Sequence, residues 1–430
     1  MALARALRIG WLAAAVLSAA RIGAAQGADR QFHGLFGPAP NEQLRPQQLD
    51  VNWSLYGAQD DNSFLSNDTD VLDAPLQTDR VYTGAAIALA YTRRPPHKLL
   101  TVNASSAARY YPDLHQVVST RYSGGLTYEV MPAERWVIQT AGTVSYSPYY
   151  QVVLGAATAE SALDLPTPNA DYAAARHNSM TYGSFVSARR IFNASSALTM
   201  SYGLRYLHLV GESQFADQRI GARYTRSLSK SFSLNLGYAT SAVSAVAGPA
   251  QDTVRGSNVD LGIGFNRTLF SSSRTSLGFT TGTSTISTAA GSQFTVTGSA
   301  RLARQLSRLW TAQLLYDRGV QVPEGTLRPF FSDTVAGNIS GYINRRVMVR
   351  ALPSYARGTV GVNADANPYH SFSNTARIEI ALGRQMAMYA EHFYYRYAFA
   401  SDRGLPQLLA ASLNRKGARV GLTLWTPLVR

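Results

Sequence analysis

The chain has 430 residues, no cysteine, 34 glycines and 24 tyrosines, and only 15% of its residues are charged. Soluble domains carry about 25% charged residues, so a surface built wholly for water is excluded. The missing thiols exclude disulfides, thiolate metal sites, a cysteine nucleophile and a lipidated cysteine. A formal net charge of +14 raises nucleic acid as a partner, but the arginines recur at strand spacing rather than in clusters, which argues against it.

In chain order, Arg5 and Arg8 precede the apolar run "IGWLAAAVLSAA" (9–20), and "GAA" (23–25) offers small residues for cleavage. This predicts a signal peptide over 1–25, the apolar run being too short for a stable membrane anchor. Its removal takes away Arg5, Arg8 and Arg21 and no acid, so the remaining chain is still basic. Residues 26–48, rich in Gly, Pro and Gln without helical period, are expected to form a periplasmic tether outside the folded wall.

From Leu49 onward one unit recurs: an alternating apolar and polar segment of about 12 to 16 residues, then a break. The segments begin at Leu49, Val81, Lys98, Val117, Arg135, Ser179, Ser195, Gln218 and Phe232. They continue from Ser257, Arg274, Gln293, Leu309, Asp333, Val347, Phe372, Met386 and Lys416. Each reads as a strand with one oily and one polar face; in the tenth, Val259, Leu261, Ile263 and Phe265 share one side, and Asn258, Asp260, Gly262, Gly264 and Asn266 the other. The breaks alternate almost without exception. Short ones such as "RPPH", "MPAE", "FNAS", "LSKS", "SSSR", "LSR" and "NRR" lie between long ones such as 61–80, 152–178, 244–256, 322–332 and 401–415.

Beyond the signal no run of 18 apolar residues exists, so transmembrane helices are excluded. In lipid only helices and closed barrels satisfy every backbone group. The expected fold is therefore all-β: a single transmembrane antiparallel β-barrel of about eighteen strands over 49–430, with short periplasmic turns and long extracellular loops. The last segment, 417–429, is expected to pair with 49–58 and close the sheet.

The signal, the rim asymmetry, the aromatic residues near strand ends (Trp136, Tyr149, Tyr150, Trp310, Tyr394, Tyr395, Tyr397) and the closing "VGLTLWTPL" resemble Gram-negative outer-membrane β-barrels of porin-like type. The units "TRSLSKSFSLNLGY" and "ARQLSRLWTAQLLY" are similar to those of barrels found alongside exopolysaccharide-export systems. One departure is that such barrels usually end on an aromatic residue, whereas this chain ends Leu428-Val429-Arg430, with Trp425 further in. The resemblance implies an outer-membrane location in a Gram-negative bacterium. It also implies contact with outer-membrane lipid and lipopolysaccharide, the barrel-insertion machinery as a partner, and an anionic solute or saccharide as cargo.

If the oily parity faces lipid, the opposite parity faces the lumen. That parity places Arg109, Arg121, Arg205, Arg219, Arg223, Arg301, Arg350, Arg377 and Arg419 inside, with Glu129, Asp260, Asp317 and Glu379. The expectation is a pore lined by these residues, in which arginines favour anions. The plainer reading is an internal ladder that fills the lumen for stability. A catalytic barrel would need a nucleophile, a histidine base and an orienting group together. The seven histidines, His33, His97, His115, His177, His208, His370 and His392, are instead scattered, and no Walker, zinc or dinucleotide pattern appears. No catalytic residue, metal or cofactor is therefore expected. The function expected is a channel for passive or gated passage of small or anionic solutes, with the outer-membrane exit of a saccharide-export system as its specific form. The alternatives are a structural or surface-adhesion barrel working through its loops, and an outer-membrane hydrolase.

Overall fold

The computed structural model describes residues 46–61, 80–112, 116–148, 178–209, 214–247, 253–268, 274–323, 326–362, 366–401 and 411–429. The expected signal peptide, all but the last residues of the tether, Tyr149, Tyr150, His33, His115 and His177 lie outside these residues.

Eighteen strands make up the wall. The first nine are β1 (Gln47–Asp60), β2 (Arg80–Arg93), β3 (Lys98–Tyr111), β4 (Gln116–Ala133), β5 (Trp136–Ser147), β6 (Ser179–Asn193), β7 (Ser196–Leu209), β8 (Gln214–Ser227) and β9 (Phe232–Ala247). The others are β10 (Thr253–Thr268), β11 (Arg274–Thr288), β12 (Gly291–Gln305), β13 (Trp310–Gln321), β14 (Phe330–Asn344), β15 (Val347–Val360), β16 (Asn367–Ala381), β17 (Met386–Phe399) and β18 (Ser412–Val429). Each of the segments expected from the sequence is one of these strands. Every strand pairs antiparallel with the next, and β1 pairs with both β2 and β18, so the sheet closes. The seam runs from Leu49 opposite Val429 to Asp60 opposite Gly417, as expected. Strands of 12 to 18 residues exceed the ~9–11 that a tilted strand needs to cross the hydrocarbon, so the wall stands proud of the bilayer.

The two faces follow from period-two alternation. On β9 to β11, Leu236, Val259, Leu261, Ile263 and Phe279 point outward and are about half exposed. The exposed apolar band is flanked by outward rings near both rims: Trp136, Phe192 and Phe232 at one end, Tyr110, Tyr122 and Tyr182 at the other. An apolar band between aromatic girdles is the outer surface of an outer-membrane barrel. Tyr394 is part of this outer surface, but Tyr395 and Tyr397 are not interfacial as expected. They face inward and are 1% and 2% exposed, because β17 carries its largest rings on the inner parity: Tyr389, Phe393, Tyr395, Tyr397 and Phe399.

One rim holds eight connections of two to five residues together with Gln47 and Val429. Side chains shape these turns. Asn193 Oδ1 accepts hydrogen bonds from Ser195 N, Ser195 Oγ and Ser196 Oγ, each at 2.9 Å. Asn344 Oδ1 accepts from Arg346 N and Val347 N at 2.8 and 3.0 Å. These are Asx-type turns, in which a short amide substitutes for the backbone acceptor. His97 completes the "RPPH" turn with φ 61°, a left-handed value that histidine tolerates better than branched residues do. On the opposite rim the expectation of long loops fails at four of the nine connections: β3–β4 and β7–β8 are joined by four residues each, β9–β10 by five, so that the break expected over 244–256 shrinks to 248–252, and β11–β12 by Ala289 and Ala290 alone, with Gly291 at φ 133° supplying the backbone freedom.

Candidate functional site

The register carries one parity around the whole barrel, and every one of the thirteen charged residues singled out from the sequence falls on its inner face. They are Arg109 on β3, Arg121 and Glu129 on β4, Arg205 on β7, Arg219 and Arg223 on β8, Asp260 on β10, Arg301 on β12 and Asp317 on β13. Arg350 follows on β15, Arg377 and Glu379 on β16, and Arg419 on β18. The same face also holds residues that the sequence reading left out: Asp50, Asp60, Asp217, Glu391, Arg189 and Arg415. Four of these six are acids, so the interior is less one-sided than nine arginines against four carboxylates.

The interior is built as two unlike halves. On β15–β18 and β1–β4 it is dense. Glu391 lies between two arginines: its Oε2 is 3.4 Å from Arg377 Nη1 and its Oε1 is 3.6 Å from Arg419 Nη1. Arg377 also meets Glu379 at 2.6 Å and stands over the Tyr389 ring at 3.9 Å from its centroid. Arg419, 5% exposed, lies 4.9 Å from the Phe393 centroid and 5.7 Å from that of Tyr56. Across the seam Arg415 Nε donates to both Asp60 oxygens at 3.0 Å. Next, Arg109 stands 5.0 Å over Tyr82, and Arg121 lies within electrostatic reach of Arg109, Arg419 and Tyr56. Guanidinium groups gain about 2 kcal/mol on ring faces when desolvated, which helps to explain how so many cations share one wall. Glycine makes the stacking possible. A Cβ on Gly84 would lie 2.2 Å from Tyr56 Cζ, so no other residue leaves room for that ring.

On β6–β12 the inner face is low. Among the described residues it presents nine glycines, from Gly183 on β6 to Gly282 on β11, interspersed with serine, threonine, alanine and asparagine, with Phe185 among them and larger apolar side chains (Leu207, Leu209, Val243, Val254 and Ile286) gathered toward the loop rim. Arg205, Arg219 and Arg223 rise from this floor and are exposed. Arg205 is directly opposite Asp217 in the register. Arg223, its side chain 60% exposed, reaches Asp260 at 3.3 Å across the intervening strand. Gly237 lies between them, and a Cβ there would come within 2.2 Å of Asp260 Oδ1.

The omitted residues had weak signals. Asp60 and Arg415 fall just outside the alternating segments, which the sequence bounded at Ala58 and Lys416. Glu391 lies on β17, where the oily parity faces inward and the rule that sorts the faces is reversed. His208, His370 and His392 point outward, and His97 lies in a turn. Among the described residues no group of three or more metal-ligating side chains is assembled.

No protein-family model matches the chain, and no curated protein matches it. Solved structures of similar fold include Acinetobacter baumannii OccAB4, at 10% identity and a TM-score of 0.45. Pseudomonas aeruginosa OpdO is similar at 9% identity and 0.48, and Pseudomonas aeruginosa OpdK with vanillate at 10% and 0.45. In each case 89% of this chain and 98% of the other are covered. By its own closed register, apolar outer band and charged inner face, the chain is a closed eighteen-stranded antiparallel β-barrel with the outer surface of an outer-membrane barrel.

Proposed function

We propose that the barrel is a passive or gated outer-membrane channel for small anionic solutes, lined by the thirteen inward charged residues and those that accompany them. The observation that carries this reading is the uneven interior: a glycine-floored half with exposed Arg205, Arg219 and Arg223, facing a dense half that holds Arg109, Arg121, Arg377 and Arg419. A barrel of this size leaves an aqueous lumen unless side chains or loops fill it, and glycine, serine and alanine fill little. Fixed cations on low-dielectric walls focus their field on the water between them. An anion would be attracted by the exposed arginines and passed among several weak sites rather than held by one, as conduction requires. The buried arginines stiffen the wall, and the exposed ones meet solute.

Planar-bilayer recording tests this reading. The wild-type barrel is expected to conduct steadily and to prefer anions. Changing Arg205, Arg219 and Arg223 together to Gln should shift the reversal potential toward cations without loss of insertion, because lumen substitutions tune selectivity. The difference should shrink as the Debye length falls from about 10 Å at 0.1 M salt to about 3 Å at 1 M. An inserted but silent protein, or an unchanged reversal potential in low salt, would move the reading to a structural barrel.

A further inference from the structure

The low half of the inner wall contains a depression with arginines at both ends. On the loop side, Arg205 on β7 and Arg219 on β8 are diagonal neighbours. On the turn side, Arg189 on β6 and Arg223 on β8 share a row, with Thr199 between them. All four arginines are exposed. Between the two ends runs a row of Ser187, Ser201 and Gly221, whose small side chains keep the floor low. Arg219 and Arg223 are four residues apart on one strand, which sets their Cα atoms about 14 Å apart. Phe185 stands on the β6 side, and its ring lies against Gly203, where a Cβ would meet it at 3.3 Å.

The charges at the two ends match. Arg205 has Asp217 as its register partner, and Arg223 has Asp260 at 3.3 Å. Arg219 and Arg189 form no ion pair among the described residues. Glu129, opposite Gln139 on β5, pairs with neither. Each end thus holds two cations and one carboxylate, a surplus of one positive charge, and a floor without charge separates the two surpluses. A small monoanion satisfies one end at a time.

We propose that this depression is a binding station for elongated dianions, solutes with a carboxylate at each end of an apolar spacer, one end meeting Arg219 and the other Arg189. The proposal rests on the reading of the lumen as an anion path and names the solute class that one station of it selects. A guanidinium fork takes a carboxylate through two parallel hydrogen bonds. Once one end is held, the other binds at the high effective concentration that a short spacer gives. The Phe185 ring and the glycine floor accept the spacer's CH groups, which a short dianion lacks. Both ends are exposed, so either contact can open first and the solute can leave, as conduction requires.

The test is isothermal titration calorimetry of the full chain in phosphatidylcholine nanodiscs. The probes are succinate, adipate, suberate and the monomethyl ester of suberate. Affinity should rise from succinate to suberate, and suberate should bind about tenfold more tightly than its ester, the worth of one further charge-assisted contact. R189Q and R219Q should each bring suberate down to the level of the ester. Succinate should lose only about twofold in either variant, since one of two independent ends remains. Phe185→Ala should weaken suberate and leave succinate unchanged. R255Q, on the outer face of β10, should behave as wild type, and heat-modifiable migration establishes that each variant is folded. Suberate binding no tighter than its ester, or a loss in R189Q and R219Q no greater than in R255Q, would overturn the proposal. Bilayer recordings on the same proteins separate it from the channel reading. Anion-preferring conductance without any dependence of affinity on spacer length would sink the station alone, whereas a silent barrel that still binds suberate tenfold above its ester would keep the site and sink the channel.

Discussion

Glu391 neutralises Arg377 and Arg419 at once, and its side chain is 3% exposed. Removing one member of a buried ion network leaves uncompensated charge, which costs about 3–5 kcal/mol. Glu391→Gln is therefore expected to lower the unfolding free energy of the detergent-solubilised barrel by that amount, read as a fall in its urea midpoint. Glu379→Gln, at a side chain 17% exposed that pairs with Arg377, should cost less. A midpoint unmoved by Glu391→Gln would mean that water or another group already neutralises the arginines. Where the variant folds, it should also strengthen anion preference, because two arginines lose their partner. Stability and selectivity thus draw on the same residue in opposite directions.

At the scale of the element, the short turns are where single side chains decide local geometry. Asn193→Ala removes an acceptor used by three donors and should destabilise the β6–β7 hairpin by about 1–2 kcal/mol. Faster amide exchange confined to the residues flanking that turn would show it; unchanged exchange would mean that the ladder alone holds the turn. Strands were legible in the sequence because period-two alternation is a local pattern, and each expected segment became one strand. What the local pattern could not reveal is which face is inward when both are apolar. β17 shows this: Tyr395 and Tyr397 read as interfacial rings, yet they are buried inside because β16 and β18 set the parity of the strand between them. The Arg415–Asp60 contact was hidden for a related reason. It joins residues 355 apart in sequence, at strand ends where the alternation had already faded. The tight β11–β12 turn escaped notice because "TAAG" has no Asn-Gly or Pro signature.

At the scale of the molecule, closure is the property that the last strand foretold, since an uncovered edge invites aggregation. The amides of β1 and β18 should therefore exchange as slowly as those of interior pairs such as β10 and β11. Rapid exchange along both would mean that the seam is open. The thirteen inward charges were legible from parity, but their sorting into a buried half and an exposed half was not, because it depends on which strands become neighbours. The aromatic lining of β17 bears on how such a wall is assembled. A nascent hairpin enters a bilayer when its outward side chains partition into hydrocarbon, yet on β17 only Met386, Met388 and Tyr394 are large outward apolar groups, beside His392, Arg396, Ala390 and Ala398. Its rings lose contact with water only once β18 and β1 have come round beside them. For this sector, then, more of the gain in free energy comes at closure of the sheet than at partitioning, and a barrel halted before its final strand would leave the five rings of β17 facing the water inside.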